Sequence, residues 1–279
     1  MNKEKKDRHA KQPPAASARE AQAVEDRATP TTPVIYEVVR RHGEEEMARP
    51  PLSLWWSGVA AGLSISFSLL AQAVIDLRTP EAIWAPLAIA AGYPVGFLMV
   101  VLGRQQLFTE NTITMVLPVM AEPTRANLAA MARSWSIILA ANLAGTLTAA
   151  LFCSWTPVLS PEVLDAMLGV SRHAMDKAWA VVFFEAITAG FLMAVMVWLL
   201  PAASHSPVPV IFLITYLIAI SGSAHIVAGS MEAFMLVVNG QMGAWHAFAG
   251  FAVPALLGNI VGGTILFALL SHAQVMREI

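Results

Sequence analysis

Two polar groups sit where apolar runs break off. His225 lies in Ile218-Ala219-Ile220-Ser221-Gly222-Ser223-Ala224-His225-Ile226-Val227-Ala228-Gly229-Ser230, and Thr109 in Gly103-Arg104-Gln105-Gln106-Leu107-Phe108-Thr109-Glu110-Asn111-Thr112. Non-helical backbone at membrane depth survives only where it is buried in protein or lines a cavity, because unsatisfied peptide groups are very costly in hydrocarbon. An ionisable side chain at such a break points to function by default. An anion entering a dry constriction loses most of its hydration at a large cost. An imidazole there can supply a proton or donate a hydrogen bond, and the neutral donor is the default species at pH 7. The competing reading is a core histidine satisfied by backbone carbonyls. The Thr109 hydroxyl can donate to a solute or to His225, or it can simply cap the helix that restarts after the break.

Three carboxylates accompany these groups: Glu110 beside Thr109, Glu232 seven residues after His225, and Glu185 in another apolar segment. A lone carboxylate on an anion path repels its cargo unless it is paired or protonated. Arg104, six residues before Glu110, is an available partner. These charges either tie broken helices to the scaffold or handle cations or protons. Half-helices that begin after a break also aim positive dipole ends at the space between them, which favours anions. The histidines and glutamates show no metal-ligand spacing such as H-E-x-x-H, so no metal is expected. No phosphate-binding loop is present, so neither ATP-driven transport nor any cofactor is expected. The one cysteine, Cys153, excludes an intrachain disulfide and a cysteine metal cluster and reads as an apolar filler.

The elements that must position these groups follow from composition. Hydrophobic residues are 57% of the chain and charged ones 13%, against roughly 25% charged in soluble domains. About half of the charged residues fall in the first 50 positions. Residues 1–32 read as a disordered cytoplasmic tail without the early apolar core of a signal peptide. Residues 33–50 read as an amphipathic interfacial helix, with Val34, Ile35, Val38 and Val39 set against Arg40, Arg41, Glu44 and Glu45. A solvated helical linker is the alternative there. Residues 51–279 form a membrane domain. Leu52–Ile75, Trp135–Phe152, Ala178–Leu200 and Phe248–Leu270 each supply the roughly 20 apolar residues of a span. Ile83–Met120 and Val208–Val238 are long but interrupted. The expected fold is therefore all-α, with six transmembrane helices of which the second and fifth are broken.

The halves echo one another. Thr109 and His225 lie 116 residues apart, and Asn142-Leu143-Ala144-Gly145 returns 117 residues later as Asn259-Ile260-Val261-Gly262, each followed within two residues by a threonine. Ala61-Gly62-Leu63 is matched by Ala189-Gly190-Phe191. Two three-helix halves with an odd number of spans make an inverted repeat, which places solute sites on broken helices at the repeat interface. Arg40, Arg41, Arg49, Arg125 and Arg133 against Arg78, Arg172 and Lys177 favour cytoplasmic N- and C-termini. Gly58, Gly62, Gly145, Gly258, Gly262 and Gly263 suit close helix packing. His205, His246 and His272 fall near span ends and read as interfacial.

The order of these features resembles the formate/nitrite transporter family: an amphipathic helix, a small-residue first span, Leu107-Phe108-Thr109 in a broken second span, Val197-Trp198-Leu199 closing the fourth, and His225 in a broken fifth. The likeness spans about Val34 to Leu270. It implies an aquaporin-like fold, a homopentamer in a bacterial inner membrane, and a pore in each protomer for small monovalent anions such as formate, nitrite or hydrosulfide, with no nucleic acid involved. It also implies pore residues Tyr93, Phe97, Leu107, Phe108, Thr109, Met193, Ile218 and His225, with Phe97, Phe108, Met193 and Ile218 as apolar constrictions around a chamber.

The chain departs from the family's pattern at several polar positions. Ala224 stands where a glutamate often precedes the histidine, and Gly229 where an asparagine usually follows it by four. In Phe184-Glu185-Ala186-Ile187-Thr188-Ala189-Gly190 an expected basic residue has become Glu185 and an expected asparagine Gly190. The family's vestibule lysine has no plain counterpart, although Lys177 lies nearby. These losses favour a second reading, an aquaporin-like channel for a small neutral solute. A membrane-embedded enzyme needs paired acid/base groups for which only Glu110, Glu185, Glu232 and His225 are available, and a non-conducting scaffold needs the path blocked at Phe97 and Phe108.

Overall fold

A computed structural model describes residues 30–276. The tail expected over residues 1–32 lies almost wholly outside the described residues. Helix α1, Thr32–Ala48, begins with Pro33 in its first turn, where the absent N–H is no loss. It buries Ile35, Tyr36, Val39 and Met47 on the bundle while Val34 and Val38 stay exposed. Along its outer edge Arg40 and Arg41 donate to Glu37 at 2.6–2.9 Å, and Arg40 also reaches Glu44. Those bonds, that from Arg40 being the stronger, hold the Glu37 carboxyl down at about 2.

The membrane domain follows as α2 (Pro51–Asp76), α3 (Ala85–Leu102), α4 (Asn111–Ala121), α5 (Arg125–Trp155), α6 (Pro161–Met175), α7 (Trp179–Leu199), α8 (Pro207–Ile220), α9 (Ile226–Val238) and α10 (His246–Val275). All the described elements are helical. Five of them, α2, α3, α5, α7 and α10, are long and apolar enough to cross a membrane. The two interrupted regions fall where expected: α3 stops and resumes as α4, and α8 stops and resumes as α9. Helix α10 contains π-helical turns at His246–Ala252 and Val261–Ala268. The first ends just before Pro254, whose missing N–H breaks an α ladder.

Small residues set the closest approaches. A Cβ on Gly62 of α2 would lie 2.3 Å from the Asn142 carbonyl oxygen of α5, and one on Gly190 of α7 would lie 2.3 Å from that of Asn259 in α10. These two helix pairs are therefore packed backbone to backbone in the same way, as the sequence echo requires. The restarted half-helices cross between halves: α4 packs on α7 and α10, and α9 packs on α5 and α2.

Helix α6 is an element that apolar length does not reveal. Its signals are Ser160, whose hydroxyl accepts the Val163 N–H, then Pro161 and Glu162 in the first turn and Arg172 and His173 in the last. It buries Met167, Leu168 and Met175 against α9 and the second half of α2.

Candidate functional site

Each break is built by the same device. Helix α3 ends with Gln105 N–H donating to Val100 O and Arg104 N–H to Val101 O; helix α8 ends with Ser223 N–H donating to Ile218 O and Gly222 N–H to Ala219 O. Both are left-handed helix stops, with Arg104 at φ 49° and Gly222 at φ 66°. A non-glycine residue in that conformation costs about 1 kcal/mol. Arg104 is exposed and makes no ion pair with Glu110 among the described residues.

The extended backbone after each stop is held by one fully buried asparagine. Asn142 Oδ1 accepts the Phe108 N–H at 2.9 Å, and its Nδ2 donates to Gly58 O at 2.9 Å and Gln106 O at 2.8 Å. Asn259 Oδ1 accepts the Ile226 N–H at 2.8 Å, and its Nδ2 donates to Ala186 O at 2.8 Å and Ala224 O at 3.0 Å. Both asparagines were visible as an echo in the sequence, but their task was not. The threonines that follow also correspond: Thr146 shares a hydrogen bond with Ser230 of α9, and Thr264 donates to Thr112 O of α4.

This scaffold places Thr109 against His225, with Oγ1 and Nε2 2.7 Å apart and both residues buried. His225 is the N-cap of α9, its Nδ1 accepting the Ala228 N–H at 3.1 Å. An Nδ1 that accepts carries no proton, so the neutral ring holds its proton on Nε2 and donates it to Thr109 Oγ1. The Thr109 O–H is then left to donate elsewhere. Protonating His225 requires breaking the cap, because Nδ1–H cannot face a backbone N–H. Thr109 itself caps no helix; Glu110 occupies that position for α4.

The aromatic residues assemble around this pair. Phe97 meets the His225 ring edge-on at 5.2 Å, Tyr93 packs on Phe97 at 5.0 Å, and Phe108 packs on Trp135 at 5.6 Å. Leu107, Met193 and Ile218 are buried in the same core. A cavity of about 490 Å³ reaches His225 and Tyr93 from the side of α6. Thr109, Phe97, Leu107, Phe108, Met193 and Ile218 are not in its wall. Gly229 and Phe251 are, and a Cβ on Gly229 would lie 2.2 Å from Phe251 Cζ. A ring thus fills the place where a side chain at 229 would go. Lys177 also lines this cavity, donating at 2.6 Å to Glu185 Oε2 and at 2.9 Å to Gly222 O. Glu185 is therefore the counterion of Lys177. No group of three His, Cys, Asp or Glu side chains suited to a metal converges among the described residues.

Glu110 lies on the opposite side, beneath α1, with its Oε1 buried and unpartnered. Helix α1 is joined to this break by Gln106, whose Nε2 donates to Glu46 Oε2 at 2.7 Å and whose Oε1 accepts Asn111 Nδ2 at 3.1 Å. Tyr36 also bonds His272 at 2.7 Å, fixing α1 to the end of α10. His42 lies 3.4 Å from Glu46, and the hydrogen bond to that carboxylate lifts its imidazole above the usual 6.5. Burial raises the Glu46 carboxyl, but the bonds from His42 and Arg49 outweigh it and leave Glu46 below 4.5. A raised histidine stabilises folded α1 fully below about pH 6.5 and loses that as pH rises; a lowered carboxyl contributes above about pH 4.5. Helix α1 is thus expected to be most stable between these values. Hydrogen exchange of the α1 amides, corrected for intrinsic rates, checks this: protection should fall modestly above neutrality in the native protein but not in His42→Gln.

The sequence model described as "Formate/nitrite transporter" matches residues 33–273. The inner membrane protein YfdC of Escherichia coli is 42% identical over 255 residues, covering 91% of this chain and 82% of that protein. The formate channel FocA of Haemophilus influenzae is 26% identical over 247 residues, covering 78% and 84%. Among solved structures, an "FNT family ion channel" superposes with a TM-score of 0.71 at 19% identity, covering 86% of this chain and 98% of that one. A "pentameric formate channel with formate bound" gives 0.68 at 17% identity, covering 81% and 98%. The fold is theirs, and with a family match running from α1 to the last turns of α10, this integral membrane protein belongs to the formate/nitrite transporter family.

Proposed function

We propose that the protein is a channel or secondary transporter for small monovalent anions or their weak acids, formate and nitrite being the model cargo, with a path past His225 and Thr109 in each protomer. The observation that carries this is the buried Thr109–His225 pair at the end of a cavity, between two helix breaks. Within it, Thr109 is the donor to the solute and His225 fixes the direction of that hydroxyl. Phe97, Phe108, Leu107, Met193 and Ile218 form the dry constrictions, and Tyr93 flanks the outer one. Assembly as a homopentamer in a bacterial inner membrane, with the α1 face cytoplasmic, completes the reading.

The structure also favours transfer of the neutral species over the bare anion. Glu185 neutralises Lys177, Phe251 occupies the space over Gly229, and the His225 ring is held in a neutral tautomer by its cap. A bare anion would meet no free cation there, whereas a neutral acid loses far less hydration. The same features suit a small neutral solute that is not an acid.

Proteoliposome flux against membrane voltage separates the cargo classes. Formate uptake is expected, with the native rate insensitive to voltage and rising as pH falls. His225→Ala frees the Thr109 hydroxyl to rotate and should slow uptake about tenfold, equivalent to one lost net hydrogen bond. Equal transport of every permeant by His225→Ala and the native protein, from about pH 5 to about pH 8, would remove His225 from the path.

A further inference from the structure

We propose that Glu232 is the proton-exchanging residue of the outer cavity, delivering a proton to the incoming anion before it reaches the dry segment; this rests on the weak-acid reading above. The position is set by α9. Seven residues after His225, Glu232 returns to the same helix face after about two turns and lines the same cavity. Its residue is partly buried at the cavity wall, and its carboxylate has no hydrogen-bond or ion-pair partner among the described residues.

Two of the neighbouring groups are committed elsewhere. Facing the cavity are Asp76 from α2, Tyr93 from α3, His173 from the end of α6, Lys177 just beyond it, and His225 at the start of α9. Helices α5 and α10 contribute no titratable group to its wall. Lys177 is bonded to Glu185 and to a carbonyl. His225 uses Nδ1 to cap α9 and Nε2 to hold Thr109, so it has no proton to give without breaking one of these contacts. Asp76 and His173 also lack a side-chain hydrogen bond or ion pair among the described residues, but they belong to α2 and α6, not to the helix whose N-cap, His225, forms the Thr109 contact. Glu232 is left as the uncommitted acid on the element that leads to that contact.

The exchange balances simply. Glu232 in its acid form passes the carboxyl proton to an oxygen of the anion; the anion becomes the neutral acid and Glu232 becomes a carboxylate. The carboxylate regains a proton from the water of the cavity, on the face opposite α1. One proton then accompanies each anion, and the carboxylate left behind repels a second bare anion.

The test is formate uptake into proteoliposomes with an internal pH dye, comparing native protein, Glu232→Gln and Glu232→Asp. The native protein should move one proton per formate and respond to pH on the cavity face. Glu232→Gln should slow uptake about tenfold or more and leave a residual rate that follows only the bulk concentration of neutral acid. Glu232→Asp keeps the carboxyl and should keep the pH profile at a lower rate, which a merely structural role of the side chain would not give. Should Glu232→Gln fold poorly, the aspartate variant still decides: a native rate with its pH dependence gone, or a pH profile governed from the α1 face, overturns the assignment. Native uptake with an unchanged Glu232→Gln rate and profile overturns the role of Glu232 alone. Absence of any native weak-acid uptake overturns the proposed function, and this assignment with it.

Discussion

Alanine at Asn142 or Asn259 is expected to lower the melting temperature by roughly 6–12 °C, or to prevent recovery of folded protein. Each asparagine satisfies three backbone groups buried at a break: Phe108 N–H, Gly58 O and Gln106 O in one case, Ile226 N–H, Ala186 O and Ala224 O in the other. A stranded buried group costs about 1–3 kcal/mol, so the loss is on the order of 3 kcal/mol even if water recovers part of it. For a chain of this size each kcal/mol corresponds to roughly 2–4 °C. Asparagine to aspartate should be no milder, because it keeps the acceptor but turns both donors into another acceptor beside two carbonyls. Thermal unfolding in detergent provides the measurement. The informative feature is parity: the variants should cost similar amounts, since they remove equivalent clamps from the two halves. A large loss at one and none at the other would break the correspondence.

That correspondence explains what was legible in the sequence. Breaks at Thr109 and His225 could be read because membrane depth penalises a needless interruption, and the recurrence of asparagine and threonine at near-equal offsets joined the halves. Contacts between halves carry no local periodicity. The bond from Thr109 to His225 spans 116 residues; the repeat suggested the pairing, while the tautomer and the freed hydroxyl depend on the cap at Ala228. Glu185 looked like a lost basic residue until Lys177 appeared across from it. Gly229 reads in the sequence as a missing polar group, whereas the Phe251 ring occupies the space over it. Helix α6 is not legible from hydropathy because its apolar face is too short for a span, and only its capping residues mark it. Sequence distance makes Arg104 an available partner for Glu110, but a left-handed turn carries it to the surface instead.

Thr109→Val should reduce formate flux about a hundredfold while leaving the fold nearly intact. Valine matches threonine in shape, so Phe97, Leu107 and Phe108 can keep their places around it. What disappears is a hydroxyl that accepts the Nε2–H of His225 and, in the proposed function, donates a hydrogen bond to the solute. Losing the acceptor strands one buried donor, a stability cost of about 1–3 kcal/mol. Losing the donor removes a hydrogen bond from a solute that has already shed its water. In a dry site that is worth about 2.7–4 kcal/mol, the range found for a single oxyanion donor, and 2.7 kcal/mol corresponds to a factor of about a hundred in rate. Thr109→Ser keeps the hydroxyl and should remain within a fewfold of native. His225→Ala, which disorients the hydroxyl without deleting it, should fall between the two. Flux in the order native, serine, His225→Ala, valine would place the donor on Thr109 and its aim on His225. Should valine carry formate as fast as serine does, the 2.7 Å contact is scaffold and the solute takes its hydrogen bonds elsewhere.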